Sequence, residues 1–359
     1  MKIGVIGDTH LGNKRFYEES FLHLERALKV LEKENCDVVI QTGDLFDSKD
    51  VSLETLYKAF NIFKVFNKMR IFVISGNHDR RARSEIDAVK LLAHVGCYEY
   101  LHDNVVNIND FSFLAMSYVN DANAQEELKN LIEKNKPLMK EKKVLIIHQN
   151  IKDYSPGDGL ESSYLKSLGF YLIIDGHIHK RIYDWPIILP GSLLATSLVE
   201  EEAEKRGVTV IDTERKEARF LEIEQRPIII ETLHFHNATK EEIIEKIKKL
   251  YHEYKQKEPN AIIKFVLRGS TKSTIIDFAT LLSINDLFLD IKMEKTDLKD
   301  SVFLWQEKFI EAKKQDDEKM LIETLKSKVE KPEEKLELLY EYEPQEIVNY
   351  FINKLKENI

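Results

Sequence analysis

At 359 residues the chain is longer than one hydrophobic core usually serves, so one large domain with one or two smaller units is expected. Its 43% hydrophobic and 32% charged residues are those of a globular protein, and no apolar run is long enough to span a bilayer, which excludes a membrane-spanning class. A formal net charge of -9 excludes a protein that holds nucleic acid over its whole surface, so any grip on a polyanion has to be local.

The chain opens MKIGVIGD, a short apolar run ending in aspartate, without the basic flank and small-residue cleavage site of a signal peptide, and a cytosolic protein is expected. Cys36 and Cys97 stand in no metal-like or redox-like spacing and read as small core residues. The first half alternates short runs rich in Val and Ile with helical patterns, the mark of an α/β core. KIGVIGD, DVVIQTGD, RIFVISGNHD, KVLIIHQN and YLIIDGHIH each read as a buried strand ending in Asp, Asn or His. In α/β folds, sites assemble where loops converge at the carboxyl ends of strands, so these endings predict one shared pocket. Between them, LETLYKAFNIFKVF (53–66) is apolar around most of a helix, and AVKLLAHV (88–95) is similar. One face of the core cannot bury such a helix, which either meets a second surface or is fully internal.

After His179, the runs IILPGS, GVTVID and ARFLEIE read as strands, the last two separated by a polar turn, and they suggest a second sheet closing a sandwich. Arg226-Pro227 marks a break, because proline restricts the residue before it and punctuates domains. A new unit follows, reading strand (IIIETLHF), helix (240–255), strand (IIKFVLRG), helix (around 274–282) and strand (LFLDIKM), a small α/β cap. From about residue 313 the composition becomes charged and helical, with Pro332 and Pro344 where helices would start. Leu336, Leu339 and Tyr340 behind the first proline, and Ile347, Val348, Phe351, Ile352 and Leu355 behind the second, recur at helical spacing. Helices this short are marginal in water, so their apolar stripes need a surface to cover them. The expected domains are residues 1–227, 228–312 and 313–359.

The strand-end residues are Asp8, His10, Asp44, Asn77, His78, His148, His177 and His179. Together they suffice for two metal ions with one carboxylate bridging. The mix of imidazole and oxygen suits manganese, iron or zinc and is too rich in nitrogen for a pure magnesium or calcium site. Two such ions can activate a water and stabilise both the attacking and leaving oxygens of an in-line displacement at phosphorus, which is phosphoester hydrolysis. Each piece alone is ordinary: Gly43-Asp44 is a common turn, and His148 taken singly is as well read as a core histidine. The joint order at the ends of successive strands carries the reading. Basic residues flank these motifs, namely Lys14 and Arg15, then Arg80, Arg81 and Arg83, then Lys180 and Arg181. They serve either as a sequence-independent grip on DNA or as exposed ion pairs. The loop carrying Tyr154, Pro156, Gly157 and Gly159 either faces substrate or is plain surface.

GDTHLG, TGDLFD, SGNHD, IIHQ and GHIH resemble the signature of the calcineurin-like metallophosphoesterases. Over the whole chain the pattern is similar to the archaeal double-strand-break repair nucleases of that superfamily, whose bacterial counterpart is SbcD. GDLF, GNHDRR and the PGS at 190–192 look more like these nucleases than like protein phosphatases. The resemblance implies a metallophosphoesterase sandwich of two mixed sheets flanked by helices, with a DNA-binding cap and a helical tail. It further implies two Mn²⁺ ions (iron or zinc being the other options), 3′-to-5′ exonuclease action on duplex ends and endonuclease action on single strands.

By the same resemblance Asp8, His10 and His179 hold one ion and Asn77, His148 and His177 the other. Asp44 bridges, and His78 protonates the leaving oxygen or stabilises the phosphate. A homodimer through the two apolar helices (Leu56, Phe60, Phe63, Leu92) is implied, as is docking of the tail (Leu336, Leu339, Ile347, Phe351, Leu355) on an SMC-like zinc-hook ATPase near the nucleoid. Many relatives carry histidine where this chain has Asp47, which either orients His78 or caps the helix beginning near Ser52. The competing readings are another phosphoester substrate, such as a phosphoprotein or cyclic nucleotide, and a scaffold that tethers DNA ends.

Overall fold

The computed structural model describes residues 1–80, 86–196, 198, 205–271, 284 and 286–295. Arg81, Arg83, the helix expected at 274–282 and the whole tail from 313, with Leu336, Leu339, Ile347, Phe351 and Leu355, lie outside the described residues. The chain divides into two compact units, the first Met1–Arg226 and the second beginning at Pro227.

The first unit is built on two mixed six-stranded sheets. In chain order its elements are β1 (Lys2–Ile6), α1 (Tyr17–Lys33), β2 (Val38–Gln41), α2 (Leu53–Val65), β3 (Ile71–Val73), α3 (Ala88–His94), β4 (Glu99–Tyr100), β5 (Val105–Ile108), β6 (Phe111–Met116), α4 (Ala124–Asn135), β7 (Lys142–Ile147), α5 (Ser162–Ser167), β8 (Leu172–Asp175), β9 (Ile182–Asp184), β10 (Ile187–Leu189), β11 (Gly207–Asp212) and β12 (Glu217–Glu222). One sheet has the order β12-β11-β1-β2-β3-β4 and the other β5-β6-β7-β8-β10-β9. Strands β1 to β4 run parallel, as do β6, β7, β8 and β10, so within each sheet the carboxyl ends share one edge.

The strands read as unbroken apolar runs because both faces are covered. Ile3, Val5, Val38, Ile40 and Phe72 of one sheet meet Phe113, Ala115, Val144, Ile146, Leu172 and Ile174 of the other to form the core between sheets. The outer face of the first sheet packs under α1, α2 and α3, and that of the second under α4 and α5. The result is helix, sheet, sheet, helix. Among the described residues no helix is long and apolar enough to cross a membrane.

Two expectations need correction. The strands at 207–222 do not form the second sheet. They are a hairpin that extends the first, β11 pairing antiparallel with β1 from Lys2↔Asp212 to Val5↔Thr209. The second sheet instead uses β5 and β6, which the sequence did not mark. The other correction concerns the apolar helices: Phe63 and Leu92, expected at a contact between copies, are 1% and 2% exposed and sit in this chain's own core. Leu56 and Phe60 pack half-buried against the same core. The side chains left facing outward are Leu53, Tyr57 and Val65 of α2, with Leu91 and Val95 in and after α3.

The second unit holds β13 (Ile228–Ala238), α6 (Lys240–Lys257), β14 (Ile262–Thr271) and β15 (Leu287–Lys295), its strands parallel in the order β13-β14-β15. A capping box starts α6: Thr239 accepts from the Glu242 backbone N–H while the Glu242 carboxylate accepts from that of Thr239. Ile243 and Ile247 of this helix pack with Leu233, Ile263, Phe265 and Leu267 of the sheet. Alternate residues point to the opposite face, where the register sets His234, Arg268 and Lys292 side by side on the three strands, all exposed.

Candidate metal centre

The five strand ends converge. Asp8 and His10 follow β1, Asp44 follows β2, Asn77 and His78 follow β3, His148 follows β7, and His177 and His179 follow β8. Three of these residues reach the site only through left-handed backbone, with φ of 46° at His10, 47° at Asp44 and 68° at His177. Such angles are uncommon outside glycine and tolerated best by Asn, Asp and His; they persist only where the surroundings fix them. Glycines make the room: a Cβ on Gly43 would lie 2.5 Å from His148 Nδ1, and one on Gly76 would lie 2.0 Å from Asp44 Oδ1.

The side chains fall into two overlapping sets. In one, His10 Nε2 lies 3.3 Å from His179 Nε2, which lies 3.6 Å from Asp8 Oδ2. In the other, Asn77 Oδ1 is 3.0 Å from both His148 Nε2 and His177 Nδ1, and Asp44 Oδ2 is 3.5 Å from His148 Nε2. Asp44 groups with His10 and His78 on one side and with Asp8 and His148 on the other, within 4.8 Å in each case, so it stands between the sets. Asp8, His10, Asp44 and His148 are buried, whereas His78 is exposed at the rim with its ring centre 5.0 Å from that of His10.

The residues fit metal ions on two observations. Asp8 Oδ2 is buried without a hydrogen-bond partner, a costly state for a carboxylate oxygen unless a cation faces it. Both ring nitrogens of His148 face acceptors, Nδ1 donating to the Thr42 carbonyl at 2.8 Å and Nε2 facing the oxygens of Asn77 and Asp44. A neutral imidazole can donate to only one of them, so the other side needs a proton or a metal. Burial disfavours the His148 cation, yet the carboxylates of Asp44 and Asp8 push its pKa up to about 10. Burial would likewise lift Asp44, but His148, His10 and His78 hold it well below the carboxylate range. Proton and metal therefore compete for one position, because a ligating imidazole has to be deprotonated.

Supporting contacts reach beyond the strand-end residues. The Asp79 carboxylate is buried and accepts the backbone N–H groups of Leu45, Phe46 and Gly76, which ties the Asp44 loop to the Asn77 loop. Burial and the charge of Asp44 raise its pKa to about 7. Residues 190–193 clasp the other side: Ser192 N donates to the His179 carbonyl at 3.1 Å and Leu193 N to that of Asp8 at 2.8 Å. Tyr118, just past β6, stacks on His177 with ring centres 6.1 Å apart; it went unnoticed because β6 did.

The structure places the expected basic residues unevenly. Lys14 and Arg15 are exposed in the loop after His10, and Lys180 is exposed beside His179. Arg80 instead turns back to donate to the Tyr118 carbonyl, and Arg181 stacks 3.6 Å over the Phe220 ring. Tyr154 packs against the core and donates to Asp184, so its ring is part of the scaffold of its loop.

A family model described as calcineurin-like phosphoesterase matches residues 1–181. The chain is similar to proteins named DNA double-strand break repair protein Mre11. It is 27% identical to that of Sulfurisphaera tokodaii, over 78% of this chain and 77% of that one. It is 26% identical to that of Saccharolobus solfataricus, over 98% of this chain and 97% of that one. Among solved structures, TT1561 of Thermus thermophilus superimposes with a TM-score of 0.44 at 11% identity, covering 62% of this chain and 99% of its own.

Proposed function

Because the chain belongs to the calcineurin-like phosphoesterase family, we propose that it is a two-metal DNA nuclease of double-strand-break repair, cutting phosphodiesters with Mn²⁺. The observation that carries this reading is a largely buried donor set at the ends of five strands with the imidazole of His78 exposed at its rim. The repair-protein relatives, two of which align over 78% and 98% of this chain, supply the choice of DNA as substrate.

In this reading Asp8, His10 and His179 would hold one ion, Asn77, His148 and His177 the other, and Asp44 would bridge. When bound, the ions supply Lewis-acid stabilisation of the phosphoryl charge and an acidified water. His78 acts on the leaving group. Its Nδ1–H donates to the Asp47 carbonyl at 2.8 Å, so it is as the imidazolium, with a second proton on Nε2, that the ring would give a proton to the leaving sugar oxygen. Lys14, Arg15 and Lys180 line the approach and attract the backbone, with Arg81 assigned to the same group by its position in the sequence. The exposed row His234, Arg268 and Lys292 supports a second, independent grip by the cap. Neighbouring strands put these residues about 5 Å apart.

We expect 3′-to-5′ exonuclease action on duplex ends and endonuclease action on single strands, with the tail bound to an SMC-like ATPase. Incubating an end-labelled duplex with Mn²⁺, Mg²⁺ or a chelator tests the core of this reading. A Mn²⁺-dependent ladder from the 3′ end supports it. Hydrolysis of a small diester with no cutting of any DNA would overturn it in favour of another phosphoester.

The outward apolar side chains of α2 and α3 support a homodimer, since several large apolar residues left outside the core on neighbouring elements are the kind of surface that interfaces use. Tyr57, 67% exposed, is the natural probe. Tyr57→Asp should give a monomer in light scattering that keeps its metals and fold, because an unpaired charge in an apolar contact costs several kcal/mol. A dimer that persists would move the interface elsewhere.

A further inference from the structure

Asp47 lies three residues beyond Asp44 in the loop after β2, and the reaction as described uses only its carbonyl. It does not cap α2, because Ser52 does, accepting the Thr55 N–H at 3.1 Å. Its carboxylate is committed elsewhere. Asn13 donates to Asp47 Oδ1 at 2.9 Å, and Asn13 is itself fixed by accepting the backbone N–H groups of Arg15 and Phe16, each at 3.1 Å. The same Oδ1 stands 3.3 Å from His10 Nδ1. That ring nitrogen is buried and makes no well-aligned hydrogen bond, while the other, Nε2, faces His179. The main chain of Asp47 is also fixed, its N–H donating to the Leu11 carbonyl at 3.1 Å and its carbonyl accepting from His78 Nδ1.

We propose that Asp47 is a positioning residue for two imidazoles at once, its carboxylate holding His10 Nδ1–H so that Nε2 is presented to the metal, and its carbonyl holding His78 Nδ1–H so that Nε2 is presented to substrate. The proposal rests on His10 being a ligand. An imidazole carries one proton when neutral, so an acceptor at Nδ1 decides which nitrogen has the lone pair. A carboxylate in that place also strengthens the ring as a donor to a cation, and loss of such partners typically weakens metal binding 10- to 100-fold. The anchoring by Asn13 matters because it holds the carboxylate against His10 at no further cost in side-chain freedom.

The two halves separate by mutation, because a side-chain change removes the carboxylate and leaves the carbonyl. The test uses the full chain with Asp47→Ala and the near-isosteric Asp47→Asn, read by calorimetric titration with Mn²⁺ and by ¹⁵N NMR of the histidine rings without metal. In Asp47→Ala one of the two Mn²⁺ ions should bind roughly 10- to 100-fold more weakly. His10 should lose its single tautomer while His78 keeps its own. Asp47→Asn retains an acceptor oxygen without the charge and should fall between that variant and the parent. An Asp47→Ala protein that titrates like the parent with an unchanged His10 tautomer would overturn the proposal, as would equal disturbance of both rings. His10→Ala separates the premise from the inference: retention of both ions there would show that His10 is no ligand, whatever Asp47 does.

Discussion

Asp44→Ala is expected to abolish phosphodiester hydrolysis and to leave the protein with half or less of its bound metal. The reason is position. Asp44 groups with donors of both sets, as Asp8 also does, and Asp44 is the one proposed as the bridge, so its removal is expected to weaken both ions together. The ions contribute several kcal/mol of charge stabilisation, which corresponds to a loss on the order of 10³-fold in rate or more. Asp44 Oδ1 also accepts the His78 backbone N–H at 2.8 Å, so Asp44→Asn is the companion variant, keeping an acceptor there while losing the charge. Elemental analysis of purified protein decides the matter: two ions retained in Asp44→Ala would place the bridge elsewhere.

His78→Gln should behave in the opposite way, binding metal as the parent does and losing about 10²- to 10⁴-fold in turnover, the usual contribution of a general acid. His78 is exposed and, among the described residues, its ring makes one hydrogen bond, to the Asp47 carbonyl, so its replacement disturbs little of the scaffold. Yet it also lies within ligand distance of His10 and Asp44. Metal content therefore separates the two roles, since loss of an ion in His78→Gln would make it a ligand, and normal content with slow turnover an acid. Single-turnover measurement guards against a change in product release being taken for chemistry.

The ends of β1, β2, β3, β7 and β8 were legible because a buried strand that terminates in Asp, Asn or His is costly unless the side chain is used. That signal is local. The second sheet was not legible for the converse reason. β6 is buried at every position, and its place between β5 and β7 depends on pairing with residues 142–147, about which its own letters say nothing. The same limit applies to β11, whose alternation fits either sheet until its partner is known. The two apolar helices were misjudged at the level of single residues. Hydrophobicity around a whole helix does not distinguish Phe63, facing the core, from Tyr57, facing out. Asp47 was recognised as unusual, but which of its groups meets which imidazole is set by a turn and by Asn13, neither of which leaves a pattern in the sequence.

The pairing of β1 with β11 also bears on how the protein is made. Lys2 lies beside Asp212 in the finished sheet, and His10 faces His179 in the finished site. On a ribosome adding about 5–20 residues per second, the first strand waits roughly 10 to 40 s before its antiparallel neighbour exists. During that interval the edge that β11 will occupy is open, and for most of it His179, which His10 faces in the finished site, has not yet been made. On the proposed assignment the ion shared by His10 and His179 is bound only after residue 179 has been made, and contacts of such long sequence separation make for slow folding, with the edge of β1 open to other chains until β11 pairs with it.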